Sequence, residues 1–327
     1  MDINNYIKNI FQIKKENTFN DYAVNLFKYQ YKHIKVYQKY VDLIGINPTK
    51  ISRYKDIPFL PIELFRTQKI VSNQKDAQRL FISSGTTNKL KSKHYVADIN
   101  IYKKSILSSF KLFLGSPREY TILCLIPNPN SFPNSSLAFM CNVLINESNN
   151  EKSGFYLNNK QKLRNVIISH EQKKKKYILF GLSFELLNFG EEHPISMKNG
   201  IILETGGTKK NKLQITKQDL HTRLKKYFDT PKIYSEYGMA ELLSQSYYVN
   251  NYYFKSPPWK KILIRDKRNP LKIIENKNRG CINIIDLANT YSCGFIATND
   301  LGCKINDGFN IIGRAQNASE RGCNLLI

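Results

Sequence analysis

The chain carries an apolar run that leads into a hydroxyl-rich turn, Leu80-Phe81-Ile82-Ser83-Ser84-Gly85-Thr86-Thr87-Asn88-Lys89. Gly85 has no Cβ, so it tolerates a positive φ and lets a ligand approach the backbone. The four hydroxyl groups and the amides of such a turn form a concave set of donors that suits phosphate, and Lys89 adds positive charge. Ser and Thr turns also bond to their own backbone. This stretch alone therefore leaves phosphate binding and a plain turn as equal alternatives.

Downstream of this turn, apolar runs typical of buried strands alternate with stretches of helical periodicity. Strands are expected at residues 120–126, 177–182, 201–203 and 232–234, and helices at residues 100–114, 136–145, 183–188 and 216–228. This alternation predicts an α/β fold with helices packed on a mainly parallel sheet. Ligands of such sheets gather at the carboxyl ends of the strands. The hydroxyl turn, Gly206-Gly207 and Tyr237-Gly238 all follow predicted strands.

The two ends of the chain differ from this middle part. Residues 19–46 contain no Pro and have apolar residues at helical spacing, which predicts an N-terminal helical cap. The apolar stretch 57–65 is kept extended by two prolines, and it either lines an apolar pocket or packs the helices onto the main domain. Beyond Trp259, short strands separated by turns indicate a β-rich region. We expect a cap at 1–55, an α/β core at 56–255 and a β-rich region at 256–327.

Composition favours a cytoplasmic protein. No apolar run reaches the roughly 18 residues of a membrane span, and the first residues lack the apolar core of a signal peptide. The six cysteines show no zinc-site spacing and are expected to stay reduced. Cys124 lies in an apolar run, which predicts a core residue. Cys323 stands apart, because it follows Arg321-Gly322 near the C-terminus.

The net charge of +24 attracts polyanions, namely nucleic acid, an anionic membrane or an acidic protein. The abundance of Lys, Asn and Ile is equally consistent with a coding bias toward AT-rich codons. The one dense basic block, residues 173–176, precedes an apolar run, which favours a solvated loop entering a strand. The sequence shows neither a zinc finger nor an RNA-recognition aromatic motif, which argues against nucleic acid.

Four stretches stand in an informative order: Ser83 to Thr87, Glu204-Thr205-Gly206-Gly207, Tyr237-Gly238-Met239-Ala240-Glu241, and Thr298 to Gly302 followed by Gly313-Arg314. Together they resemble the adenylate-forming enzymes, such as acyl-CoA synthetases and phenylacetate-CoA ligases. The similarity is strongest to the acyl-protein synthetase component of bacterial fatty acid reductases. That branch has similar Pro-Phe-Leu-Pro and Glu-Thr-Gly-Gly stretches and also ends soon after Arg-Gly-Cys. The resemblance covers residue 55 to the end.

The resemblance implies that a carboxylic acid, expected to be a fatty acid, attacks the α-phosphate of ATP to give an acyl-adenylate and pyrophosphate. The carboxylate is itself the nucleophile, so catalysis consists of positioning and neutralisation of phosphate charge. Mg²⁺, a hard cation that prefers oxygen, is the implied cofactor. The implied roles are phosphate binding by Ser83, Ser84, Gly85, Thr86 and Thr87; adenine contact by Gly206, Gly207, Tyr237 and Gly238; Mg²⁺ binding by Glu241; ribose or phosphate contact by Asp300 and Arg314; and positive charge from Lys89.

Each of these residues also has a purely structural alternative. Tyr237 fits a core aromatic residue, and Glu241 fits an acidic residue that favours a helix N-terminus. Asp300 is also typical of a turn, and Arg314 of an exposed surface. Their joint order in the sequence is what favours the nucleotide site.

The chain stops at Ile327, shortly after Gly313-Arg314. We therefore expect the fold of the N-terminal domain of adenylate-forming enzymes, without the mobile C-terminal domain and its catalytic Lys. This expectation favours transfer of the acyl group to a protein thiol over an ordinary CoA ligase. By resemblance, Cys323 accepts the acyl group as a thioester, whereas a packed terminal strand at 323–327 is the structural alternative.

Three alternative functions stay open at this point. They are an acyl- or aryl-CoA ligase-like enzyme, a degenerate nucleotide-binding partner subunit, and a basic nucleic-acid-binding protein. The excess positive charge predicts an acidic acyl acceptor, such as an acyl carrier protein or a reductase. The sequence does not specify the length of the acyl chain.

Overall fold

The computed structural model describes residues 1–84, 90–206, 215–249, 253–274 and 278–315. Its N-terminal segment is helical, as the periodicity predicts. The helices are α1 (Ile3–Asn9), α2 (Glu16–His33) and α3 (Lys35–Leu43), with 3₁₀ turns at Ile10–Gln12, Pro48–Lys50 and Tyr54–Asp56. Helix α2 buries one face, which includes Phe19, Leu26 and Phe27. The Tyr37 hydroxyl of α3 donates to the Pro58 carbonyl at 2.6 Å and so ties the helices to the extended stretch that follows.

That extended stretch packs the helices onto the main domain, and the cavity that it also lines has charged as well as apolar walls, including Arg53, Lys55 and Asp56. It contains β1 (Leu60–Pro61), which pairs in parallel with residues 296–297, and it is followed by α4 (Leu64–Thr67). Pro58 and Phe59 also line a cavity of about 490 Å³ together with Leu271. The proline-rich segment therefore packs the helices onto a distant sheet and lines a cavity.

The hydroxyl turn is flanked by an antiparallel pair of strands, β2 (Arg79–Ile82) and β3 (Lys93–Val96). The strand before the turn was predicted, but it lies in a two-stranded sheet of its own and not in the parallel sheet. Two hydrogen bonds close the stem of the turn. The Ser83 amide donates to the Ser92 carbonyl at 3.0 Å, and the Ser92 amide donates to Ser83 Oγ at 3.0 Å.

The middle of the chain forms a six-stranded sheet, here called the core sheet. Its spatial order is β5 (Gly154–Phe155), β4 (Thr121–Leu125), β6 (Tyr177–Leu182), β7 (Gly200–Thr205), β8 (Ile233–Tyr237) and β9 (Ser246–Tyr248). All neighbours pair in parallel except β8 and β9. The predicted α/β architecture is therefore confirmed.

Five helices accompany the core sheet, α5 ahead of β4 and the other four between its strands: α5 (Ile99–Leu114), α6 (Ser136–Ser148), α7 (Lys160–Gln172), α8 (Ser183–Glu192) and α9 (Lys217–Phe228). Four of them match predicted helices, and Thr216 caps α9 as expected, accepting from the Asp219 amide at 3.1 Å. The exposed residues 173–176 enter β6, so the predicted solvated loop is confirmed. Helix α7 was not predicted: its fully buried apolar residues are Leu163 and Ile167, and polar side chains make up most of the rest.

Beyond Trp259 the chain forms a second six-stranded sheet, here called the C-terminal sheet. Its members are β1, β10 (Lys260–Arg265), β11 (Ile273–Ile274), β12 (Gly280–Asp286), β13 (Phe295–Ile305) and β14 (Gly308–Arg314). Apart from the parallel β1–β13 pair, its strands are antiparallel, which agrees with the short strands and turns expected there. The pairing of β13 with β14 sets Asp300 opposite Arg314.

Gln30, a buried residue of the helical cap, bonds to the C-terminal part of the chain through several backbone groups. The amide nitrogen of Gln30, in α2, donates to the carbonyls of Asn289, Thr290 and Ser292 at 2.5–3.1 Å. Its amide oxygen accepts from the Gly294 amide at 3.0 Å. Buried backbone groups must find partners, so Gln30 satisfies a loop that has no ladder of its own.

We predict that Gln30→Ala lowers the free energy of unfolding by about 2–4 kcal/mol, because several buried polar groups lose their partner at once. Urea denaturation followed by circular dichroism measures the change. The control is Gln161→Ala, an exposed residue of α7, for which we expect a change within about 0.5 kcal/mol. Equal stability of the two variants would show that the hydrogen bonds of Gln30 do not stabilise the fold.

Candidate active site

Three residues that the sequence singled out meet beside the end of β8. The Tyr237 hydroxyl donates to Asp300 Oδ2 at 2.8 Å, and Arg314 Nε donates to Asp300 Oδ1 at 2.9 Å. Burial and the Asp300 charge raise the pKa of Tyr237 well above its usual value. Burial opposes the charge on Arg314, but Asp300 outweighs it and raises the pKa of the guanidinium. The three groups form one hydrogen-bonded unit from two sheets.

The ring of Tyr237 is mostly covered by protein. It packs against Phe254 and Phe309, with ring centroids 6.0 and 5.7 Å away, and it is 8% exposed. Lys260 Nζ lies 5.3 Å from the ring centroid, within the range of a cation–π contact. The description of Tyr237 as a core aromatic residue therefore holds in this structure. Its hydroxyl links it to the more exposed Arg314 through Asp300.

Glu241 lies in the irregular segment 238–245, which connects β8 and β9 and is here called the Glu241 turn. This segment forms no helix, so Glu241 does not serve a helix N-terminus. Burial raises the pKa of the Glu241 carboxyl, and a hydrogen bond with the Ser92 side chain opposes that shift. Within the described residues, no three His, Cys, Asp or Glu side chains are grouped as a metal site. One carboxylate suits Mg²⁺, which takes most of its ligands from phosphate and water.

The two carbonyls that flank the Glu241 side chain contact residues from other elements. The Ala240 carbonyl lies 2.8 Å from Nδ1 of His94, on β3. The Glu241 carbonyl accepts from Asn289 Nδ2 at 2.8 Å, and Asn289 Oδ1 lies 3.0 Å from His94 Nε2. Burial lowers the pKa of His94 to about 4. Sequence reasoning identified neither residue, because neither belongs to a motif.

Two buried charged side chains, Asp286 and Lys260, hold the other half of the Glu241 turn. Asp286 Oδ2 accepts from the Leu243 and Ser244 amides at 2.8 and 2.9 Å. Lys260 Nζ donates to the Ser244 carbonyl at 2.9 Å. Burial lowers the pKa of Lys260 to about 8 against the opposing effect of Asp286. Both residues come from the C-terminal sheet, so the turn takes its shape from the contact between the two sheets.

Glu204, the first residue of the Glu-Thr-Gly-Gly stretch, is an ionised group inside the fold. It is 1% exposed, and it accepts from Lys217 Nζ at 2.6 Å and from Ser183 Oγ at 2.8 Å. Burial pushes the pKa of Glu204 upward, but Lys217 and several hydrogen bonds outweigh burial and lower it to about 2. Gly206 has φ +85°, a conformation that favours glycine. The carboxylate thus locks the end of β7 to α9.

Gly238 lies against a neighbouring side chain, which would have to shift if a Cβ were added. A Cβ at this position would lie 2.5 Å from Glu236 Oε1, which is closer than real contacts allow. Burial raises the pKa of Glu236 to about 7, although Thr205 Oγ1 donates to it at 2.5 Å. The sequence suggested that a ligand approaches Gly238 closely. This stays a prediction, and the structure adds that the Glu236 side chain lies close to Gly238.

Several predicted site residues lie outside the described residues, namely Gly85, Thr86, Thr87, Lys89, Gly207 and Cys323. Of the hydroxyl turn, the structure describes Ser83, which is half-buried in the stem, and Ser84, which is exposed. The described part of the site is therefore the stem of the turn, Gly206, Gly238, Glu241 and the unit formed by Tyr237, Asp300 and Arg314.

The arrangement of sheets is that of the adenylate-forming ligases. An open conformation of 2-hydroxyisobutyryl-CoA ligase, solved with 2-HIB-AMP and CoA, gives a TM-score of 0.66 at 11% identity, over 90% of this chain and 73% of that one. ATP-bound MatB from Rhodopseudomonas palustris gives 0.55 at 12%, over 83% and 51%. FadD1, a long-chain-fatty-acid-CoA ligase from Archaeoglobus fulgidus, gives 0.53 at 14%, over 75% and 52%. The chain spans about half to three quarters of these ligases.

A family model narrows this class. No curated protein matches the sequence, but the model described as acyl-protein synthetase, LuxE, matches residues 9–327. The chain therefore belongs to the acyl-protein synthetase family. Membership confirms the resemblance that the order of the four stretches indicated, and with it the class of acyl-activating ligase.

We predict that Lys217→Met lowers stability most at neutral pH. In the wild type the pKa of Glu204 is about 2 when folded, against 4.5 in its ordinary state. Its stabilising contribution is therefore complete above pH 4.5 and is lost as the pH falls toward 2. Without Lys217, the buried Glu204 carboxylate keeps Ser183, Ser235 and His221 as neighbours but loses its nearest cation, so less of the cost of burial is offset. Because Lys217 is 40% exposed, we expect a deficit of about 1–2 kcal/mol at pH 7.

Urea unfolding at a series of pH values between 7 and 3 measures this deficit, which should shrink as Glu204 becomes protonated. Lys225→Met, an exposed change on the same helix, is the matched control. A deficit that does not depend on pH would show that Lys217 acts through packing alone.

Proposed function

We propose that the chain uses ATP to activate a carboxylic acid of the fatty type as an acyl-adenylate and passes the acyl group to a protein thiol. The observation that carries this proposal is the meeting of Tyr237, Asp300 and Arg314 beside the Glu241 turn, in a member of the acyl-protein synthetase family. Tyr237 lies 63 positions before Asp300 in the sequence, whereas Asp300 and Arg314 face each other in one hairpin. Their convergence supports a shared ligand.

In the first half-reaction, a carboxylate oxygen forms a bond to the α-phosphorus of ATP and the bond to pyrophosphate breaks. Asp300 is a fixed anion that can accept hydrogen bonds from ribose hydroxyls. Arg314, whose side chain is 63% exposed beside it, offers N–H donors to ribose or phosphate. Such preorganised donors and charges are the main means by which proteins assist phosphoryl chemistry.

Glu241 would hold Mg²⁺ in this proposal, with phosphate oxygens and water as the other ligands. The ion supplies neutralisation of phosphate charge when it is bound. The chain's own contribution is to keep the Glu241 carboxylate at a fixed position against the stem formed by Ser83 and Ser92. ATP-bound MatB, which has a related fold, supports nucleotide use by this architecture.

In the second half-reaction, a thiolate attacks the acyl carbonyl of the adenylate, a thioester forms and AMP leaves. The thiol proton passes to solvent. We propose Cys323 as this nucleophile, because Arg321 beside it favours the thiolate form. The onward acceptor is proposed to be an acidic protein, because the net charge of +24 attracts acidic partners.

We also propose a cytoplasmic location. Among the helices of the described residues, none combines the length and the apolar character that a membrane crossing requires. The five cysteines that the structure describes are free thiols, as a reducing compartment would leave them. Fractionation of cells that express the chain tests this proposal, and recovery in a membrane pellet would contradict it.

Asp300→Asn should raise the KM for ATP by about 10-fold, since it weakens charge-assisted hydrogen bonds. The measurement is pyrophosphate release over a panel of fatty and aryl acids. Asp307→Asn is the matched control, because Asp307 lies in the turn of the same hairpin and pairs with Lys255 at the surface. We expect this control to behave like the wild type.

If Asp300→Asn melts and turns over like the wild type, the assigned ribose contact is wrong. A wild-type chain that binds AMP but releases no pyrophosphate with any acid would favour a degenerate binding subunit. Salt-sensitive binding of RNA or DNA without ATP turnover would instead favour the nucleic-acid function.

We expect Cys323→Ser to abolish covalent acyl labelling while adenylate formation continues, because only the nucleophile of the second step is lost. The chain is incubated with ATP, Mg²⁺ and a labelled acid, and the label is then tested for release by hydroxylamine. Cys303→Ser, which removes a half-buried thiol of β13, is the control. Transfer of the label to an acidic acceptor should slow as ionic strength rises.

Hydroxylamine-labile label that persists on Cys323→Ser would remove Cys323 from the mechanism. Adenylation with no covalent label on the wild type, followed by transfer to free CoA, would favour the CoA ligase-like alternative.

A further inference from the structure

Strand β3 connects the stem of the hydroxyl turn to the Glu241 turn. Ser92 immediately precedes β3, and its backbone is bonded to Ser83 in both directions. The side chain of Ser92 is close enough to the Glu241 carboxylate to lower its pKa against the effect of burial. Two residues further on, His94 reaches the Ala240 carbonyl with Nδ1 at 2.8 Å. One short strand thus contacts both the predicted phosphate loop and the segment that carries the acidic residue.

The second nitrogen of His94 acts through Asn289. Asn289 Nδ2 donates to the Glu241 carbonyl at 2.8 Å and to the Cys293 carbonyl at 3.0 Å. Both amide hydrogens of Asn289 are therefore committed to carbonyls, and its Oδ1 faces His94 Nε2 at 3.0 Å. Because a pKa of about 4 leaves the ring neutral with one N–H at neutral pH, His94 donates to one of its two oxygen neighbours and only packs against the other. The side-chain amide of Gln30 donates to the backbone carbonyl of Asn289 in turn.

These contacts fix the two peptide groups on either side of the Glu241 Cα. The plane before it contains the Ala240 carbonyl, and the plane after it contains the Glu241 carbonyl. Two fixed planes set φ and ψ of Glu241 and therefore the direction of its Cα–Cβ bond. His94 itself is fully buried, and the ring of Phe65 lies edge-on 5.9 Å away. His94 is thus in a position to orient Glu241 without touching a ligand.

We propose that His94 is a positioning residue for the nucleotide site, which aims the Glu241 carboxylate at the phosphates through the Ala240 carbonyl and through Asn289. The inference rests on the proposed function in one respect, namely that Glu241 acts on Mg²⁺-bound nucleotide. On this proposal, β3 keeps the Glu241 carboxylate at a fixed position relative to the hydroxyl turn.

Two variants separate the two contacts of the imidazole. In His94→Asn the amide nitrogen can take the place of Nδ1 and keep the bond to the Ala240 carbonyl, whereas in His94→Gln it can take the place of Nε2 toward Asn289. We expect His94→Gln to raise the Mg²⁺ concentration for half-maximal pyrophosphate release by about 10-fold, the size of one lost hydrogen bond. His94→Asn should stay within about 3-fold of the wild type, and the KM for the acid should not change.

A second readout does not depend on turnover. Calorimetry compares the binding of a non-hydrolysable ATP analogue with and without Mg²⁺. His94→Gln should lose most of the Mg²⁺-dependent gain in affinity and keep the metal-free affinity. Asn289→Ala, which frees the Glu241 carbonyl from the other side, should show the same loss. His193→Asn, a partly exposed histidine beside Phe189, is the control and should show none.

Equal Mg²⁺ requirements in the wild type, His94→Gln and Asn289→Ala, with all three folded, would overturn the inference. A wild type that binds the analogue equally well with and without Mg²⁺ would also overturn it. Failure of the proposed function looks different: the wild type releases no pyrophosphate with any acid, while the calorimetric comparison still reports on His94. If His94→Gln does not fold, Asn289→Ala alone decides.

Discussion

The site depends on the buried carboxylate of Asp286, which binds backbone amides of the Glu241 turn that no neighbouring strand of the described residues binds. The Glu241 turn has one backbone hydrogen bond of its own, from the Leu242 amide to the Met239 carbonyl at 3.1 Å, among the contacts described. Asp286 binds its second half through two amides and a hydroxyl. A buried charge is costly unless it is paired and hydrogen-bonded. Lys260 and these donors offset that cost, so the turn is held only while the two sheets stay in contact.

The same dependence extends to the helical cap. Gln30 of α2 fixes the loop 289–294, and Asn289 of that loop fixes the Glu241 carbonyl. Every link in this series is a side chain that satisfies the backbone of another segment. The cap therefore belongs to the support of the site, although it lies far from the motifs in the sequence. A change at Gln30 would reach Glu241 through two hydrogen-bonded contacts.

Sequence reasoning predicted the features that depend on local residue patterns and on the order of the motifs. The strand and helix alternation, the N-cap at Thr216 and the exposed basic loop at 173–176 follow from nearby residues alone, and the structure confirms them. The family followed from several short stretches in one order. Helix α7 was missed, because its apolar residues are few and most of its sequence is polar. The pairing of β1 with β13 was missed, because the partners are more than 200 positions apart.

The same limit applies inside the site. Gly238 and Glu204 stand in recognisable stretches, but their neighbours, the Glu236 side chain and Lys217, appear only in three dimensions. His94, Asn289, Asp286 and Lys260 have no motif. The sequence did carry one signal for His94 and Lys260: a Lys or His in an apolar strand must find a hydrogen-bond partner when it is buried. Nothing in the sequence says which carbonyl that partner is.

The fate of the carboxylate oxygen tests the central claim most directly. The acid is labelled with ¹⁸O in its carboxylate and incubated with the chain, ATP, Mg²⁺ and an acceptor thiol. If the carboxylate attacks the α-phosphorus, one labelled oxygen stays on the AMP that is released, and mass spectrometry detects it there. Label in inorganic phosphate, with ADP as the other product, would show attack at the γ-phosphorus. That result would contradict the adenylate-forming mechanism.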